Sequence, residues 1–134
     1  MIRTAKILVP TLAVVWVSMF IATHLPPAQL PDTQVSDKTA HYIAYAVLAI
    51  LLHFVLRIRG MNWWRGAVLT LVVCAIYGAF DELTQPPVKR TADIMDWVAN
   101  IKGAASGTAV ALVICGLISL SQKKTDKPEL ASDA

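Results

Sequence analysis

Four long apolar runs joined by short polar stretches dominate the chain and narrow the folds open to it. They lie at Ile7–Thr23, Thr39–Leu56, Trp63–Phe80 and Ile94–Leu120. Each is near the ~17–25 residues that cross a bilayer as a helix. In hydrocarbon every backbone N–H and C=O must be satisfied within its own segment, and none of the runs alternates as a barrel strand does. All four are therefore expected as α-helices. An all-α integral membrane bundle of four transmembrane helices follows. The third run is barely long enough and the fourth generous, which puts the first turns of the fourth in the headgroup region or inside the bundle. Pro10 is expected to bend the first helix.

Composition agrees. Of 134 residues, 56% are hydrophobic and 16% charged, against roughly 45–50% and 25% for a soluble domain. Residues 1–120 read as one transmembrane domain and 121–134 as a polar tail expected to be disordered. The +3 net charge is too small and scattered for a nucleic-acid partner. Cys74 and Cys115 lie inside apolar runs, which makes them free thiols rather than a disulfide framework. The first run, behind Arg3 and Lys6, also has the apolar core of a signal peptide. Its exit, Phe20-Ile21-Ala22-Thr23-His24, lacks a clean small-x-small site, so an uncleaved anchor is expected.

Lys and Arg near the helix ends set orientation, because short loops rich in them stay cytoplasmic. One set of ends holds Arg3, Lys6, Arg57, Arg59, Arg65, Lys123, Lys124 and Lys127; the other holds Lys38, Lys89 and Arg90. Eight against three predicts both termini in the cytoplasm. Trp63 and Trp64 then fall at an inner aromatic belt and Trp97 at an outer one.

With that orientation the unusual polar residues collect at the outer end. Asp37, Lys38 and His41 open the second helix, Asp81, Glu82 and Gln85 close the third, and Arg90, Asp93, Asp96 and Asn100 lead into the fourth. An ionised side chain at the bilayer centre costs about 2.5–3.5 kcal/mol on insertion scales. A collection this large must be paired, wetted or near headgroups. Asp37, His41 and Tyr45 share one helix face, as do Tyr77, Asp81 and Gln85. Asp96, Asn100, Gly103 and Gly107 form a stripe from charged to small, and Gly103-Ala104-Ala105-Ser106-Gly107 is a GxxxG packing segment. A polar pocket between helices is the expectation. The GxxxG segment leaves open whether it packs helices within one chain or in a homo-oligomer.

Three ordered motifs within residues 24–110 resemble the VanZ-like membrane proteins: Asp37-Lys38-x-x-His41, Asp81-Glu82-x-x-Gln85 and Arg90-x5-Asp96-x3-Asn100-x2-Gly103-x3-Gly107. The resemblance implies a small bacterial multi-helix membrane protein. The family's founding member is linked to resistance to the glycopeptide teicoplanin, which acts outside the cytoplasmic membrane on cell-wall precursors. Two departures stand out. Lys89 occupies a position where a small residue is expected, and Lys102 adds a charge inside the fourth helix. On an ideal wheel Lys102 points away from the Asp96–Asn100–Gly103 stripe and is expected to snorkel or pair.

Three chemical readings fit the pocket. Arg90, with Lys38 and His41 converging on it, would capture the phosphate of a lipid or lipid-linked precursor. Asp37, Asp81, Glu82 and Asp96 would hold a divalent ion, bridging to such a phosphate. Glu82 or His41 would serve as acid or base in a membrane enzyme acting on a lipid-linked phosphate headgroup. No HExxH, P-loop, nucleophile elbow or CxxC supports a reaction class, and His24, His41 and His53 lack zinc-like spacing. Against all three stands a structural scaffold, in which Asp37 caps the second helix, Asp93 or Asp96 faces the dipole of the fourth, and Asn100 is hydrogen-bonded structure. His53, beside Arg57, reads as an interfacial histidine. The leading expectation is a cell-envelope factor in the bacterial cytoplasmic membrane that engages membrane lipids, specifically an anionic lipid or wall precursor.

Overall fold

The computed structural model describes residues 2–26, 29, 35–88 and 90–125. Helix α1 spans Ile2–His24, α2 Asp37–Ile58, α3 Trp63–Thr84 and α4 Ile94–Thr125, with a short 3-10 turn at Pro86–Val88 between α3 and α4. All four α-helices are long and apolar enough to cross a bilayer, and no strand occurs among the described residues. The four apolar runs sit inside these helices, which extend past them by up to five residues at an end. In α4 nothing between Ser121 and Thr125 breaks the helix, so the first residues of the expected tail continue it. The remainder of that tail, from residue 126, and Lys89 lie outside the described residues.

Local chemistry fixes the helix starts. Ser36, not Asp37, caps α2: its hydroxyl accepts from the Thr39 N–H at 3.2 Å. The shorter serine side chain curls back onto the first turn, which leaves Asp37 free to face Arg90. Asn62 caps α3, accepting from the Trp64 N–H at 3.3 Å. Asp93 caps α4 through Met95 N–H at 2.8 Å. The α2–α3 turn is a Schellman motif: Gly60 N–H reaches Arg57 O at 3.0 Å and Met61 N–H reaches Leu56 O at 3.1 Å. It requires the left-handed φ of +86° that Gly60 supplies.

Helix α2 is the centre of the bundle. Tyr45, Leu48, Ala49 and Leu52 line its buried face, with Cys74 of α3, Ala104 of α4 and Leu12 and Met19 of α1 packed around them. The tightest contact is between α2 and α4. A Cβ on Gly103 would overlap the Tyr42 carbonyl, and one on Gly107 the Ala46 carbonyl. The GxxxG segment therefore packs inside one chain, where small residues let two backbones touch. Cys74 and Cys115 are free.

Two further positions depart from expectation. His53 is fully buried, with the α3 backbone at Gly66 against its ring, instead of sitting at an interface. The ring packs against α3 at Gly66, where even an added Cβ would stand in ordinary contact with it at 3.4 Å. Trp97 is half-buried and donates its indole N–H to Ala75 O in α3 at 3.1 Å, so it joins helices rather than only edging a belt.

Candidate functional site

One end of the bundle gathers the C-termini of α1 and α3 with the N-termini of α2 and α4. His41, Asp81, Glu82, Gln85, Asp96 and Asn100 are buried there at 5, 1, 5, 2, 5 and 0% exposure. Solvated flanks would not show such values. Each helix delivers its residues by the four-residue spacing that keeps a face together, and the Gly103–Tyr42 contact draws the α4 stripe against α2.

The cluster has a polar mouth and a buried floor. At the mouth, Lys38 Nζ donates to Asp93 Oδ2 at 2.8 Å and to Asp96 Oδ1 at 3.0 Å. Arg90 donates to the Asp37 carboxylate at 3.3 and 3.4 Å and to Ala22 O at 3.4 Å. Lys38 and Arg90 thus do not converge on one point with His41, because each is held by a different carboxylate. Asp93 lies before the first residue of α4, and its carboxyl is held below the ordinary value by the Lys38 ammonium and then by the Met95 N–H.

On the floor, His41 Nδ1 lies 3.0 Å from Asn100 Oδ1 and 3.9 Å from Glu82 Oε1. Its Nε2 is 4.0 Å from Asp37 Oδ1. Glu82 Oε2 accepts the Asp93 N–H at 3.2 Å, which ties the end of α3 to the start of α4. Asp81 Oδ1 accepts from the Thr23 hydroxyl at 2.8 Å and lies 3.7 Å from His24 Nδ1. Asp81 Oδ2, Glu82 Oε1, Gln85 Nε2 and Asn100 Nδ2 are buried with no hydrogen-bond partner. Beneath them Tyr77 packs against Trp16 and Tyr45, with ring centroids 5.1 and 5.8 Å apart.

The four acids considered for an ion do not form one set. Two triads form instead, Asp37/His41/Asp96 and His41/Asp81/Glu82, each with ligand atoms within 4.8 Å of one another. His41 belongs to both. Beside the floor, an apolar groove of about 410 Å³ runs between α3 and α4, walled by Ala79, Leu83, Ile94 and Trp97, with Glu82 and Asp93 on its lining.

The sequence family described as VanZ/LLP1 matches residues 4–116. The chain belongs to the VanZ family. No curated protein and no solved structure matches it. Four candidate spans and the family together make this VanZ protein a multi-pass membrane protein. All nine candidate binding residues lie at or beside the cluster, with Asp37 and Lys38 at its exposed rim. Lys102 is exposed and makes no ion pair among the described residues.

Sequence reasoning missed what α1 contributes to this VanZ site. Thr23 holds Asp81, and His24 Nε2 bonds Thr84 Oγ1 at 2.9 Å. The signal was present: a Thr-His pair ends an apolar run at the same end as every other polar motif. Gly78 was missed as well. A Cβ there would press Asn100 Nδ2 and Trp97 Cδ1 at 3.3 Å, so the glycine lets α4 sit close to α3.

Proposed function

We propose that this VanZ-family protein is a cell-envelope factor of the bacterial cytoplasmic membrane, with both termini cytoplasmic and its polar end outward. In this reading the site receives the headgroup of an anionic lipid or lipid-linked wall precursor, and glycopeptide tolerance is a consequence of that binding. The observation that carries it is the junction of groove and cluster. An apolar trough suited to a lipid chain lies beside a polar end that carries Lys38 and Arg90. Both cations are already held by carboxylates, so a phosphate must exchange for them. Arg90 is the better receiver, since its planar fork matches two phosphate oxygens.

Binding to nanodiscs tests this. Protein in phosphatidylcholine discs is titrated with a polyprenyl phosphate or phosphatidylglycerol, and Arg90→Ala and Lys38→Ala are expected to weaken binding at least tenfold while the variants stay folded. Equal affinity for neutral and anionic lipid would overturn the proposal. A scaffold is the second reading, favoured by the carboxylate partners that Lys38 and Arg90 already have. It predicts that cellular abundance and any envelope phenotype fall together in these variants.

A further inference from the structure

The floor of the cluster poses a problem of charge. Asp81 and Glu82 are consecutive, both more than nine-tenths buried, and each keeps one carboxylate oxygen with no hydrogen-bond partner. Taking a carboxylate out of water costs several kcal/mol even after relaxation. Neither Lys38 nor Arg90 pairs with them; those cations hold Asp93, Asp96 and Asp37. The nearest ionisable nitrogens among the described residues are imidazoles, His24 at 3.7 Å from Asp81 and His41 at 3.9 Å from Glu82. A dication at this point would balance the charge and give the orphaned Glu82 Oε1, 3.9 Å from His41 Nδ1, a partner.

We propose that His41, Asp81 and Glu82 bind one divalent transition-metal ion of the zinc or manganese type. The donor set decides the class: one imidazole with two carboxylates suits these ions, whereas calcium and magnesium take oxygen ligands throughout. The ligand atoms lie within 4.8 Å of one another. Ligands at about 2.0–2.2 Å from a common ion stand roughly 3.3 Å apart, so side-chain rotation has only about 1.5 Å to close.

The surroundings fit an ion bound through Nδ1. With Nδ1 as ligand, Nε2 carries the proton and faces the Asp37 carboxylate 4.0 Å away, which must close by about 1 Å to make the outer-shell hydrogen bond that orients metal-binding imidazoles. Asn100 Oδ1, 3.0 Å from Nδ1, exchanges its hydrogen bond for a place as fourth donor. This inference does not depend on lipid recognition; it needs only the acids and the histidine.

The test uses the full chain in detergent, stripped with chelator, and Zn²⁺ or Mn²⁺ alone as the probe. Equilibrium dialysis with elemental analysis should find about one ion per chain and a raised thermal midpoint. Asp81→Asn, Glu82→Gln and His41→Gln should each weaken uptake at least tenfold, and Lys102→Gln should leave it unchanged. Uptake below about a tenth of an ion by the wild type overturns the proposal. So does unchanged affinity in folded Asp81→Asn and Glu82→Gln, or loss only in Asp37→Asn and Asp96→Asn. If a variant fails to fold, pulsed EPR of Mn²⁺ on the wild type and on Asp37→Asn and Asp96→Asn decides: nitrogen coupling from a bound imidazole is expected in all three, and its absence from the wild type or its loss in the two variants overturns the site.

Discussion

Gly103 of α4 lies so close to the carbonyl of Tyr42 in α2 that a single added methyl group would overlap it. One turn along, Gly107 stands in the same relation to Ala46. These two contacts set the distance between the helices that carry His41 and Asn100.

Gly103→Ala and Gly107→Ala should therefore each destabilise the protein, by about 1–3 kcal/mol for overpacking. The double variant should lose less than the sum, because the first methyl already moves α4 away from the second contact. Gly116→Ala, with open space around it inside α4, serves as control and should be neutral to stabilising by up to about 1 kcal/mol, from helix propensity alone. Thermal unfolding in detergent measures all four. Full additivity would mean that the two contacts yield independently.

Much of this arrangement was legible in the sequence, and the boundary of legibility is physical. Apolar run length gave the four helices because lipid leaves backbone groups no other partner. Four-residue spacing brought Asp81 to Gln85 and Asp96 to Asn100 onto common faces. Pairing between helices was not legible. Spacing says which face a residue occupies, but not that Lys38 would reach Asp93 and Asp96 while Arg90 turned to Asp37. The part of α1 was hidden for another reason. Thr23 and His24 stand at the end of an apolar run that also reads as a leader, and a polar exit from such a run reads as a cleavage region as readily as a set of hydrogen-bonding groups. The burial of His53 was not legible because it comes from packing against Gly66 on a different helix, a contact that spacing along α2 does not reveal.

Thr23→Val should loosen α1 from the site. It removes the hydroxyl 2.8 Å from Asp81 Oδ1 and leaves that oxygen, among the described residues, with the His24 imidazole at 3.7 Å. A hydrogen bond to a charged acceptor contributes about 1.5–3 kcal/mol, and a loss of that order is expected. Thr23→Ser keeps the donor and should keep most of the stability. If the serine and valine variants unfold alike, the hydroxyl is not what holds Asp81.

Acid should dissolve the Asp93 contacts only at low pH. The Lys38 ammonium, and secondarily the Met95 N–H, hold this carboxyl below its ordinary value of 3.8. A folded value below the unfolded one means that the contribution is present above the unfolded value and is lost as pH falls through the folded value. The window thus lies below 3.8. Lys38→Met should raise the Asp93 midpoint, though not fully to the ordinary value, since the Met95 N–H remains. The carboxyl carbon shift of labelled Asp93, followed by NMR against pH, reports this, and an unmoved midpoint in Lys38→Met would assign the effect to the cap alone.

Orientation is the step on which an outward site depends, and burial decides how to test it. A cysteine at Gln85 would be silent because that position is 2% exposed whichever way the bundle faces. Thr91, exposed beside the start of α4, and Arg59, exposed in the α2–α3 turn, lie at opposite ends of the bundle and are open to reagents. In a background lacking Cys74 and Cys115, Thr91→Cys in intact cells should react with an impermeant maleimide, while Arg59→Cys should react only after the membrane is opened. The expected direction rests on the excess of Lys and Arg at one set of helix ends, and the loss of Arg59 leaves seven of the eight counted there. The reverse pattern would turn the acids and His41 toward the cytosol. An extracellular headgroup could then not reach them, although a metal ion still could.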